Sequence, residues 1–153
     1  MAKTSAGLLV YRNKKDRLEV FLVHPGGPFW KKKDKNAWSI PKGEFEAPEQ
    51  PLDAAIREFE EETGFSVKGE FLPLTPVKQP GGKIVYAWAI QGDFDPGKFS
   101  SNTFTITWPP GSGKKQQFPE IDKADWFDIP AAIEKILKGQ IPLLEELQKL
   151  VSS

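Results

Sequence analysis

Two periods divide the chain. Residues 4–12 and 18–24 are runs of aliphatic and β-branched side chains separated by the polar stretch Asn13-Lys14-Lys15-Asp16, a pattern that predicts two strands joined as a hairpin at the heart of a sheet. Over Pro51–Thr63 the period changes. At about 100° per residue, Leu52, Ala55, Ile56 and Phe59 fall within one stripe, expected to be buried, while Glu58, Glu61 and Glu62 form an adjacent acidic stripe, expected to face a cleft. Pro51 suits a first helical position, the alanines and glutamates favour helix, and Gly64 suits a left-handed stop; Gln50 is only a mediocre N-cap.

Beyond this helix the alternation returns. Residues 67–74 and Lys83–Gln91 read as strands with a turn at Gln79-Pro80-Gly81-Gly82, and in the second of them Tyr86 and Trp88 share one face, Val85, Ala87 and Ala89 the other. Residues 92–102 read as loop, 103–108 as a further alternating strand and 109–117 as a loop rich in Pro, Gly and Lys. Asp128 is placed to cap a helix entered through Ile129-Pro130 and running to Leu137, and residues 142–150 make another amphipathic helix. Both helices are expected to cover the sheet.

Composition narrows the class. A chain of 153 residues with 39% hydrophobic content suits a single domain, residues 1–153, with a substantial core. Lysine plus arginine and aspartate plus glutamate number 21 each, so no extended nucleic-acid surface or anionic-membrane surface is expected and any phosphate binding must be local. The absence of cysteine excludes disulfides, thiolate metal sites and a cysteine nucleophile. No segment approaches the length of a membrane span and the first residues lack a signal-peptide layout, so the expected location is cytoplasmic.

The acidic stripe carries the candidate chemistry. Glu58 and Glu62 are like charges at i,i+4 with Glu61 between them, an arrangement that disfavours an isolated helix by roughly a few tenths of a kcal/mol per pair. A divalent cation reverses that sign. Hard ions take oxygen ligands, and magnesium is usually held by a few carboxylates with water and substrate phosphate in its remaining positions. Arg57 lies next to Glu58 and four residues before Glu61, where it can fix a carboxylate, and Glu49 is placed to pair with Arg57 or join a metal shell. The bland counterpart is a solvated acidic face. Elsewhere, His24, the chain's one histidine, reads as a structural side chain at a strand end. The loop Phe29-Trp30-Lys31-Lys32-Lys33-Asp34-Lys35 mixes rings with positive charge: Trp30 and Lys32 can stack a base or hold a polyphosphate, or the loop is a solvated connection. Tyr86 either floors a pocket or packs in the core. The GSGKK at 111–115 lacks the spacing of a P-loop.

The ordered run Gly43, five residues, Glu49, seven residues, then Arg57-Glu58-Phe59-Glu60-Glu61-Glu62-Thr63-Gly64-Phe65 resembles a complete Nudix box, with phenylalanine where aliphatic residues are usual at 59 and 65. Trp38-Ser39-Ile40-Pro41-Lys42 leads into it as a short strand does in many members. The resemblance implies an α/β/α sandwich with a mixed β-sheet and hydrolysis of a nucleoside diphosphate linked to another group, by water attack at phosphorus. It implies Mg2+, with Mn2+ as a substitute, held by Glu58 and Glu62, with Glu61 and the backbone carbonyl near Gly43 as further ligands. It places the family's late strand at Trp126–Asp128 and implies that an acidic residue shortly before it, Glu120 with Asp122 second, completes the site. Arg57 orients, Glu49 supports, either Glu58 or Glu120 is the general base, and Lys42, fixed beside Gly43, is the best-placed phosphate contact. The substrate expected is a small-molecule nucleotide: a nucleoside triphosphate or dinucleoside polyphosphate first. Next comes ADP-ribose or a nucleotide sugar, because Pro80 lies where ADP-ribose hydrolases of the family carry a proline. A non-catalytic nucleotide-sensing module is the contrasting class.

Overall fold

The computed structural model describes residues 4–151. Its first strand, β1 (Thr4–Lys14), turns through Lys15 and Asp16, both at positive φ (51° and 64°), into β2 (Arg17–Pro25), the backbone of a two-residue hairpin whose twist matches that of the strands. The pair stays together only from Tyr11↔Val20 to Lys14↔Arg17. Towards the other end the strands part, and residues 39–44 fill the gap. Ser39 and Val23 exchange both backbone hydrogen bonds at 2.9 Å, the Leu8 N–H donates to the Pro41 carbonyl at 3.2 Å, and β3 (Lys42–Glu44) pairs antiparallel with Ser5–Gly7 of β1. The approach is close. A Cβ on Gly7 would lie 2.5 Å from the Pro41 oxygen and 2.6 Å from the Lys42 Cβ, so the position has no room for a side chain.

On its other edge β1 runs parallel to β5 (Lys83–Gln91), which pairs antiparallel with β4 (Leu72–Gln79), while β2 pairs antiparallel with β8 (Ile121–Asp128). The mixed sheet thus has the order β4-β5-β1-β2-β8 with β3 wedged beside β1. A separate hairpin, β6 (Thr103–Thr107) with β7 (Lys115–Pro119), stands outside it.

Alternation along β1 assigns the layers. Ala6, Leu8 and Val10 join Phe21, Ala54, Ala55 and Phe59 in the core beneath α1 (Pro51–Thr63). Leu9 joins Val20, Leu22, Ile129, Leu143, Leu144 and Leu147 beneath α2 (Ile129–Lys135) and α3 (Ile141–Val151). The result is the expected α/β/α arrangement. The fully buried Gln140 ties the second layer to the wedge: its Oε1 accepts from the Ile40 N–H at 3.0 Å, and its Nε2 donates to Ser39 Oγ at 2.9 Å and to Gln79 Oε1 at 3.0 Å. Phe59 and Phe65 are aromatic because they meet aromatic partners. Phe65 stacks on Phe94 at 4.6 Å and both phenylalanines stand edge-on to Phe21, at 6.4 and 6.0 Å.

Several expectations are corrected. The buried stripe of α1 contains Ala54, Ala55, Phe59 and Thr63, with Leu52 and Ile56 only half-buried, because the sheet covers the helix on the Ala54 side. Val67 and Phe71 pack on the α1 core as loop, and β4 begins at Leu72 and runs on to Gln79. Residues 115–117, read as loop, are strand, since β7 is held by its ladder to β6. The late strand starts at Ile121 because β2 pairs it that far, and α2 ends at Lys135. Asp128 caps α2 as expected, accepting from the Ala131 N–H at 2.9 Å. Among the described residues no helix is long and apolar enough to cross a membrane.

Phe59, fully buried between sheet and helix, anchors α1. Phe59→Ala is expected to lower the unfolding free energy by about 3–5 kcal/mol, read as an earlier urea midpoint at unchanged m value; a loss below about 1 kcal/mol would show that α1 is not seated through this ring.

Candidate active site

The site begins where α1 crosses β3. A Cβ on Gly43 would lie 2.0 Å from Glu58 Oε2 and 2.1 Å from its carboxyl carbon. The Glu58 side chain therefore lies directly across this glycine. Its other oxygen, Oε1, accepts from Arg57 Nη1 at 2.8 Å. The same guanidinium forms a two-pronged pair with Glu49, at 2.7 Å from Nε and 2.8 Å from Nη2, and reaches Glu61 Oε2 at 3.1 Å. Arg57 thus gathers three carboxylates, the fork geometry fixing the plane of Glu49. The Arg57 pKa is pushed upward, chiefly by Glu49, and that of Glu49 is held down by Arg57. Burial nonetheless raises Glu58 above the usual carboxylate range, Arg57 offsetting part of the effect.

Thr63 and Gly64, directly after the glutamates, lock the C-terminal end of the helix. Buried Thr63 donates from Oγ1 to the Phe59 carbonyl at 2.6 Å and accepts from the Phe65 N–H at 3.1 Å. Gly64 at φ 78° closes the helix, its N–H reaching the Glu60 carbonyl at 2.8 Å. The weak N-cap is as expected: the Gln50 side chain makes no capping bond.

Glu62 points inward. Its Oε2 is buried with no hydrogen-bond partner, and desolvation pushes its pKa up to about 8, with Glu58 and Glu120 adding to the rise and the Lys42 ammonium and backbone amide opposing it. Burial in turn pushes Lys42 down, while Glu62, Glu44 and Glu58 pull it back up. Lys42, Glu62, Glu120 and Trp30 line a cleft of about 210 Å³ whose apolar wall includes Val23, Ile40 and Leu137. Glu120 is exposed, but its backbone is fixed: its N–H donates to the Asn102 carbonyl and its carbonyl accepts from Gly26, both at 2.8 Å.

The expected residues are brought together unevenly. Gly43, Lys42, Glu58, Glu62 and Glu120 converge, with Trp30 at the cleft wall. Glu61 sits on the outer side, half-exposed and held by Arg57. Lys32 lines a different, larger cavity, Tyr86 packs edge-on to Phe45 at 6.4 Å and lines neither cavity, and Asp122 is taken by His24, whose Nδ1 is 2.7 Å from its Oδ1. His24 is fully buried, its Nε2 2.6 Å from the Lys33 carbonyl, the structural role expected of it. Sequence reasoning missed the β6–β7 hairpin as a wall-builder, although Phe104, Ile106 and Trp108 at alternate positions carried the signal.

Among the described residues no three acidic or histidine side chains stand close enough to hold an ion as they are placed; Glu58 and Glu61 lean on Arg57. The donor set nevertheless fits a hard divalent cation: oxygen ligands, mutual repulsion, and one buried carboxylate oxygen without a partner.

A family model described as the NUDIX domain matches residues 1–147. The chain belongs to the Nudix family. Nudix hydrolases generally use divalent metal ions, and the fold of this chain agrees with known Nudix structures. The binary complex of the Ap4A hydrolase from C. elegans superposes with a TM-score of 0.66 at 22% identity, covering 99% of this chain and 98% of that one. The Nudix domain of NrtR from Shewanella oneidensis, solved with ADP ribose, gives 0.68 at 13% identity, covering 99% and 90%. A protein of Myxococcus xanthus named octanoyltransferase is 32% identical over 99 residues, which span 65% of this chain and 25% of that protein.

The raised Glu62 pKa sets a pH dependence in the metal-free protein. Between about 4.5 and about 8 the native state holds this proton more tightly than the unfolded chain, so the contribution of Glu62 to stability falls as pH rises through that window and levels off above it. Glu62→Gln is therefore expected to gain stability over the wild type across the same window, reaching on the order of a few kcal/mol at its upper end. Chemical denaturation at a series of pH values checks it; a difference independent of pH would place the buried charge elsewhere.

Proposed function

We propose that the chain hydrolyses a nucleoside diphosphate linked to a second group, with a nucleoside triphosphate or a dinucleoside polyphosphate as substrate, by attack of water at a phosphorus of the anhydride. The observation that carries this reading is the buried, unpartnered Glu62 oxygen, flanked by Glu58 and Glu120 and facing Lys42. A desolvated Glu62 oxygen with two further acids acting on it is unfavourable by itself and becomes favourable with magnesium, or manganese in its place. Glu58, Glu62 and Glu120 would hold the ion, with Glu61 and the Gly43 carbonyl as further oxygen donors. When bound, it supplies charge neutralisation along the phosphates and a water of lowered pKa.

The chain's own groups do the rest. Arg57 holds Glu58 Oε1 while Gly43 supports the other side of the same carboxylate, so its orientation is set before any ligand arrives. Glu49 fixes the guanidinium that does so. Lys42 is placed beside Glu62 to meet a phosphate oxygen, and in the metal-free state it is partly neutralising the acids it neighbours. Glu58 is held through Oε1 by Arg57, whereas Glu120 is exposed at the cleft on a pinned backbone; Glu120 is therefore assigned as the base that takes the proton from the attacking water. No covalent nucleophile is needed, since phosphoryl transfer relies on positioning and charge stabilisation. Pro80, on which a nucleotide-sugar substrate would rest, is exposed and lines neither cavity. The expected location remains the cytoplasm.

Glu62→Gln is expected to lower turnover by about a hundredfold or more while the protein remains folded by circular dichroism. Near-normal turnover in that variant would remove the mechanism. A hydrolysis screen of nucleotides, dinucleotides and nucleotide sugars with magnesium and with manganese, with both products identified, locates the phosphorus attacked. In the same preparation, magnesium is expected to raise the thermal midpoint of the wild type more than that of Glu62→Gln; equal shifts would place the ion elsewhere.

A further inference from the structure

The cleft beside Glu62 is small. Sites that enclose small organic ligands usually measure about 300–1,000 Å³, and this one measures about 210 Å³, enough for phosphate groups but not for a whole nucleotide. A second cavity of about 690 Å³ lies between the β6–β7 hairpin and the loop after β2. Consecutive residues line the two cavities on both sides: Phe29 the large one and Trp30 the small one, Pro119 the large one and Glu120 the small one.

The large cavity is built of rings and positive charge. Phe29, 63% exposed, meets Trp108 at 5.2 Å with ring planes 79° apart, so the two rings form a corner in which a flat aromatic ring can stack on one and meet the other edge-on. Phe118 continues the wall, its partner Phe104 resting against Gly27. Lys31, Lys32 and Lys33 stand on the same wall, and the Lys33 ammonium lies 5.1 Å from the centre of the Trp30 ring, at the boundary with the catalytic cleft. Asp122, the acid that also lines the cavity, is already hydrogen-bonded to His24.

Resting on the hydrolase reading, we propose that this cavity is the nucleobase subsite of the enzyme. The base stacks in the Phe29–Trp108 corner and the phosphates pass along Lys31 to Lys33 towards Glu62 and Glu120. Apolar rings alone would accept many ligands. The combination of stacking faces with a cationic track leading to an acidic, metal-ready cleft is the chemistry of a nucleoside polyphosphate.

The test is equilibrium binding of ADP and of inorganic pyrophosphate to the whole chain without metal, for the wild type, Phe29→Ala and Trp108→Ala. Phe29 is exposed, so its variant is expected to fold, and thermal melting checks both. ADP affinity is expected to fall about five- to hundredfold in each variant, the span of base-on-aromatic stacking, while pyrophosphate affinity moves less than about twofold. Unchanged ADP affinity in folded Phe29→Ala, or equal losses for ADP and pyrophosphate, overturns the subsite. Failure of the hydrolase reading is read separately, as absence of metal-dependent turnover in the wild type; selective loss of ADP binding in the variants would still support the subsite.

Discussion

A carboxylate laid across a glycine fixes this molecule. The contact between Glu58 and Gly43 requires that β3 come up beside α1 without a side chain in the way, and β3 can do so only because β1 and β2 part beyond Tyr11 and Val20. Sheet, wedge and helix thereby become one unit. Core burial under Phe59 holds the helix down from one side, and the wedge receives its carboxylate from the other.

The electrostatics are set by that packing. Seating the helix this deeply removes Glu62 from water along with Glu58, in a place where Glu120 and Lys42 also arrive. Burial, not a particular neighbour, is the largest influence on Glu62, Glu58 and Lys42 alike. Arg57 lies at the rim and binds Glu49, Glu58 and Glu61, leaving the inner acid, Glu62, to be offset only in part by Lys42. The site is a region where stability is given up to keep charged groups close together in a dry setting, as functional sites commonly do.

Much of this was readable from the residues. The helix at Pro51–Thr63 announces itself through a local period and local end signals, and β1, β2 and β5 through alternation, because these patterns record burial on one face or two. What escaped depended on partners distant in the chain. Leu52 and Ala54 flank the same stripe, and only the tilt of the sheet decides which is covered. Val67 and Phe71 are apolar enough for a strand but pack as loop over the α1 core. The Lys115–Pro119 strand has one large apolar residue, Phe118, and owes its conformation to the ladder with β6. Trp30 and Lys32, two residues apart, separate into different cavities, which no composition argument distinguishes. Tyr86 meets Phe45 because β3 is inserted beside β1, an arrangement with no signature in the residues around position 86.

Gln140 carries the last consequence. Its amide grips Ser39 and Ile40 from the side of the sheet opposite α1, so the alignment of the segment bearing Lys42 and Gly43 is governed partly by the layer most remote from the phosphates. Changes in the packing of α3 would reach the acids as a sideways slip of that segment, without touching any residue that meets the ligand. The outer helices are thus part of the site's foundation and not merely its covering.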